Sequence, residues 1–74
     1  MDYIDRIEIV PGVRSGKPVI KGTRMTPKDV LEYLAAGMSY EEVLADFPYI
    51  TKEDILACIA FAADQKRRTM VVLT

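Results

Sequence analysis

Three stretches of the chain carry apolar residues at helical spacing. They are Val30, Leu31, Leu34 and Ala35; Tyr40, Val43, Leu44 and Phe47; and Ile55, Leu56, Cys58, Ile59, Phe61, Ala62 and Ala63. Recurrence at i, i+3 and i+4 marks one face of an amphipathic helix. Each stretch follows the same short theme: "TPKDVL" from Thr26, "SYEEVL" from Ser39 and "TKEDIL" from Thr51. A hydroxyl residue with an acid three positions on is a capping box. The hydroxyl accepts from a free backbone N–H of the first turn, and the acid reaches back to the N–H of the cap. The acid also lies at the positive end of the helix dipole. Pro27 follows the first cap, where a missing N–H has no consequence. The spacing predicts helices over 27–36, over 40–46 or 40–47, and from 52 onward.

The ends are marked as well. Gly37 offers a left-handed closing residue. Pro48 disfavours helix at the residue before it. Nothing breaks the third helix before Lys66, Arg67 and Arg68, whose charges suit a helix C-terminus. That helix is apolar nearly all round its middle turns, so neighbours or a partner must enclose it. The N-terminal third differs: "RIEIV" alternates like a strand closed by Pro11–Gly12, and "KPVIKGTRM" reads as a second strand or an extended arm with a Gly22 turn. The final "TMVVLT" has three readings: more helix, pairing with "IEIV", or contact with another chain.

The expected fold is therefore mainly α: a three-helix, helix-turn-helix bundle with a short β or extended N-terminal arm. A single domain covers 1–74, divided into an arm (1–25), a trihelical core (26–68) and an apolar tail (69–74). With 74 residues, half of them hydrophobic, the core is small. Cores of this size supply ~3–5 kcal/mol, which oligomerisation often supplements. Dimerisation is thus expected.

Composition removes most chemistry. Histidine is absent and Cys58 is the single cysteine, so neither an internal disulfide nor a His-based zinc site can form. Cys58 lies in an apolar helical stretch and reads as an inert core thiol. The paired acids Glu41–Glu42 and Glu53–Asp54 fall in first helical turns, where capping accounts for them. "PGVRSGKP" fails as a phosphate loop, because Gly12 is one position late and Pro18 replaces the hydroxyl residue. No catalytic residue, cofactor, metal or small-molecule substrate is expected, and the chain does not read as an enzyme. Early acids and the lack of a long apolar run point to a cytoplasmic protein without a leader or membrane span.

Charge is uneven although the net is −1. Arg14, Lys17, Lys21, Arg24 and Lys28 occupy a stretch without acids, whereas 39–54 is acidic. The "GKPVIKGTRMTP" segment places these cations on an arm constrained by Pro18 and Pro27 and turned at Gly16 and Gly22. Arg24 can bind a carboxylate or phosphate in bidentate fashion, or staple the arm to an acid of the second or third helix. Tyr40 is expected to pack near the second cap, and Tyr49 to fill the turn between helices.

The order of "SGKPVIKGTRMTPKDVLEYLAAGMSYEEVLADFPYITKEDILACIAFA" resembles the small bacterial and archaeal family called domain of unknown function 433. Gly16, Lys17, Pro18, Ile20, Gly22, Thr23, Arg24, Gly37, Ser39, Pro48 and Thr51 carry the resemblance, which spans 7–63. It implies a homeodomain-like helix-turn-helix fold and an antitoxin role beside a PIN-like nuclease toxin.

The leading functional expectation is an antitoxin-like binding protein that neutralises such a toxin and autoregulates by binding operator DNA. The candidate contacts are Arg14, Lys17, Lys21, Thr23, Arg24, Lys28, Lys66, Arg67 and Arg68. Met70, Val71, Val72 and Leu73 are candidate apolar contacts for a toxin or a second subunit. The alternatives are a DNA-binding regulator without a toxin, and a structural or adaptor dimerisation domain. Against DNA stand Glu53 and Asp54, in the first turn of the would-be recognition helix, where phosphates repel them.

Overall fold

The computed structural model describes residue 3 and residues 5–73, with side chains as far as residue 65. Strand β1 (Ile7–Ile9) runs antiparallel to β2 (Pro18–Ile20), with Ile7 opposite Ile20 and Ile9 opposite Pro18. A short 3₁₀ turn, Arg14–Gly16, lies between them. Helices α1 (Pro27–Ala35), α2 (Tyr40–Asp46) and α3 (Lys52–Leu73) follow. The protein is mainly α with a small β arm, as the pattern predicts.

All three capping boxes form. Thr26 and Asp29 exchange bonds of 3.1 and 3.0 Å, Ser39 and Glu42 bonds of 2.9 and 3.1 Å, and Thr51 and Asp54 bonds of 2.9 and 3.2 Å. Helix α1 closes on a paired motif. Gly37 N–H donates to the Leu34 carbonyl at 3.0 Å, and Met38 N–H to the Tyr33 carbonyl at 3.2 Å. Gly37 takes φ 102° there, in the left-handed region that side chains resist. Met38 and Tyr33 both pack on the core.

The core lies between the arm and the bundle. Val19, Ile20, Met25, Val30, Val43, Ile50, Ile55, Ala57 and Cys58 are buried. Full burial of a side chain such as Val30, Val43 or Ile55 contributes about 1.5–3 kcal/mol. Tyr33 stacks on Phe47 at 5.0 Å between ring centres, joining α1 to the end of α2.

One open reading closes, and burial differs from the simple pattern in two places. Of the three readings of the final segment, continued helix holds as far as Leu73. Strand alternation puts Ile7 and Ile9 on one face, yet Ile9 is 64 % exposed while Ile7 packs on the core. Ile9 stands at the end of a three-residue strand, opposite Pro18. Tyr49 does not fill the turn between α2 and α3: it is 59 % exposed, and Ile50 is buried in its place. The bond from Ile50 N–H to the Phe47 carbonyl, 3.1 Å, forms a tight turn that directs Ile50 inward.

Candidate binding surfaces

The arm is fastened to the bundle through the capping acids. Arg6 Nη1 donates to Asp54 Oδ1 at 3.0 Å, and Arg14 Nη1 donates to Asp29 Oδ2 at 2.9 Å. Arg14 also donates to the Arg24 carbonyl at 3.0 Å. Arg6 and Arg14 therefore make the staples, the first to α3 and the second to α1. Arg24 itself is exposed and forms no ion pair among the described residues. Burial works to raise the Asp29 carboxyl. The Thr26 amide, the Arg14 guanidinium and the Thr26 hydroxyl outweigh that and hold it below its ordinary value.

The loop that aims Arg14 is strained. Arg14 and Ser15 have φ of 50° and 58°, successive left-handed residues that are not glycine. Such backbone costs an L-residue roughly 1–2 kcal/mol. Here it turns the Arg14 guanidinium back over the start of α1.

The predicted basic strip does not remain one surface. Arg14, Lys17 and Lys28 line a cleft of about 240 Å³ at the start of α1, with Pro18, Pro27 and Phe61 as its apolar walls. Asp29 and Glu32 also border it, and Lys28 lies 3.9 Å from Glu32 on the next helical turn. The cleft shares Pro27, Lys28, Glu32 and Phe61 with a second groove of about 470 Å³ between α1 and α3. Leu31 and Ala35 of α1 face Phe61 and Ala62 of α3 across that groove. Lys21, Thr23 and Arg24 belong instead to a separate concavity beside the Gly22 turn, with Tyr49 from the turn between α2 and α3.

The Thr23 hydroxyl is engaged inside its own turn. It donates to the Ile20 carbonyl at 2.8 Å and accepts from Met25 N–H at 3.0 Å. The side chains of Lys66, Arg67, Arg68, Met70, Val71, Val72 and Leu73 lie outside the described residues.

At the start of α3, Lys52 and Glu53 are exposed and Asp54 is buried against Arg6 and Thr51. Glu41 and Glu42 are exposed at the start of α2. The Ser39 backbone and hydroxyl bonds hold the Glu42 carboxyl below its ordinary value. Cys58 is fully buried; burial, followed by the charge of Asp54, pushes its thiol up to about 12. Among the described residues no group of three or more His, Cys, Asp or Glu side chains could hold a metal ion. No helix among them is long and apolar enough to cross a membrane.

Sequence reasoning missed Arg6 and misplaced Tyr49. Arg6 and Asp54 are 48 residues apart, and no local pattern connects them.

The fold and these surfaces define a small, mainly helical domain whose β arm is bound to the caps of two of its helices. The chain belongs to the DUF433 family: the model described as "Protein of unknown function (DUF433)" matches residues 7–62. It is similar to a DUF433 member protein from Anabaena variabilis ATCC 29413, whose crystal structure was solved at 2.00 Å. The two are 28% identical with a TM-score of 0.78, over 89% of this chain and 69% of that one. Comparison with curated proteins finds no match.

Proposed function

We propose that this chain is an antitoxin-like binding protein. It neutralises a PIN-like nuclease toxin by docking over that enzyme's acidic, metal-binding site, acts in the cytoplasm as a homodimer, and catalyses nothing itself. The observation that supports this reading is the continuous groove between α1 and α3. Its floor is apolar along Leu31, Ala35, Phe61 and Ala62, and one end is rimmed by the exposed Lys17 and Lys28 beside Glu32, with Arg14 already paired to Asp29. Such a surface suits a partner that presents carboxylates beside an apolar ridge. Burying the ridge supplies affinity, and the charges fix its register.

The test is co-expression with the product of the neighbouring gene. The expected result is a complex that co-elutes on size exclusion and suppresses the partner's nuclease activity. Leu31→Glu, at a half-buried groove position, is expected to weaken the complex by about tenfold or more, as loss of a central apolar contact does. Failure of the two proteins to associate, with nuclease activity unchanged, overturns the reading.

Autoregulation by operator DNA is the second reading. The short turn between α2 and α3 favours it, since two helices so joined have helix-turn-helix connectivity. The exposed Glu41, Glu42 and Glu53 near those helix starts work against it. A shift assay with the upstream duplex at low salt decides; no shift ends this reading.

A further inference from the structure

The concavity formed by Lys21, Gly22, Thr23, Arg24 and Tyr49 shares no residue with the α1–α3 groove. We propose that it binds single-stranded nucleic acid, with a base stacked on the Tyr49 ring and adjoining phosphates held by Lys21 and Arg24.

The cations are presented rather than absorbed. Arg6 and Arg14 pair with acids of the bundle, whereas Lys21 and Arg24 are exposed and pair with none among the described residues. The turn that carries them is fixed. Thr23 N–H donates to the Ile20 carbonyl at 2.9 Å, and Ile20 N–H donates to the Met25 carbonyl at 2.8 Å. Gly22 has φ 80° at the third position of that turn, and its N–H donates to Glu8 Oε2 at 3.0 Å. Glu8 is thus an acid engaged with the backbone of the turn. The Thr23 hydroxyl holds the turn.

The ring is presented too. Tyr49 is 59 % exposed while its neighbour Ile50 is 4 % exposed, so the buried isoleucine anchors the segment and leaves the tyrosine outside. Phe47 meets the Tyr49 ring at 6.2 Å with planes at 75°, an edge-on support. Phe47 is itself stacked on Tyr33. An exposed aromatic ring beside two unpaired cations is what a flexible nucleic-acid strand needs, because any base offers a π-face and every link offers a phosphate. A duplex keeps its bases stacked on one another and cannot use the ring. A duplex lying along α2 and α3 also meets Glu41, Glu42 and Glu53.

The experiment is fluorescence anisotropy of the purified full chain with a labelled, mixed-sequence single strand of about 12 nucleotides, a length within the usual site size. The matching duplex is measured in parallel. The single strand is expected to bind, with a log–log salt slope near −1.4, about −0.7 for each of two phosphates. Tyr49→Ala is expected to weaken binding by roughly 5- to 150-fold, the range that stacking one base commands. Tyr49→Phe retains the π-face and stays within about twofold. Lys21→Ala and Arg24→Ala each flatten the slope by about 0.7. All of these side chains are exposed, and circular dichroism checks that each variant is folded. The proposal is overturned by absence of binding at low salt, by a Tyr49→Ala variant that binds like the parent, or by a duplex that binds as tightly as the single strand. These outcomes leave toxin docking untouched, since that is read from a complex and from a different surface.

Discussion

Arg14 Nη1 lies 2.9 Å from Asp29 Oδ2, and that same oxygen accepts the Thr26 backbone N–H at 3.1 Å. One carboxylate thus caps α1 and holds the loop between the strands. Asp54 repeats the device at α3 with both oxygens in use, Oδ1 for Arg6 and Oδ2 for the Thr51 amide.

Removing that carboxylate should show in stability and in its pH dependence. Asp29→Ala is expected to cost about 1–2 kcal/mol at neutral pH, the range for loss of a cap and of a charged hydrogen bond. The Asp29 carboxyl is held below its ordinary 3.8 in the folded chain. Its contribution is therefore complete above that value and is lost as pH falls through the lower, folded one. Urea titrations of the parent and the variant should differ at neutral pH and converge in strong acid.

Gly37→Ala should cost about 1 kcal/mol. The site is open, with nothing within 4 Å of an added Cβ, so the penalty is conformational: φ is 102°. An alanine there faces the left-handed penalty of an L-residue. Thermal denaturation checks it, and Gly37→Asn should fall between the two, since asparagine tolerates that region better.

Ile55→Val should destabilise by about 0.5–1.5 kcal/mol, and Ile55→Ala by about 2–5 kcal/mol. Ile55 is fully buried in the main apolar cluster. The larger figure rivals the whole stability of ~3–5 kcal/mol expected of a core this small. Ile55→Ala should therefore be largely unfolded by circular dichroism, and Ile55→Val folded.

Cys58 should be silent toward a thiol reagent at neutral pH until the chain is unfolded. Its thiol is buried and pushed up to about 12. A raised value means the protonated form is native. Stability from this group is complete below the ordinary thiol value of about 8.5 and declines as pH rises from there toward the folded value. Labelling with and without urea, near neutral pH, separates a core thiol from a reactive one.

The helices were legible because their determinants are local. Thr26, Ser39 and Thr51 each stand three residues before the acid that completes their cap, and Pro48 and Gly37 mark ends by their own backbone preferences. The same locality explains what was not legible. Nothing near Arg6 announces Asp54. Whether Tyr49 or Ile50 enters the core is decided by the direction of one turn bond. Alternation alone does not show that a strand ends at Ile9. The basic strip was visible as composition, but its division between two surfaces depends on where Tyr49 and Phe61 arrive from elsewhere in the chain.

The double use of the capping acids has a consequence for how the molecule comes apart. A β arm of two three-residue strands is ordinarily the first part of a domain to fray. Here it cannot lift away without releasing Arg6 and Arg14 from the starts of α3 and α1. Arm and helix amides should then share one opening free energy in native-state hydrogen exchange, the Lys21 proton, donated across the arm to the Arg6 carbonyl, fading together with those of α3.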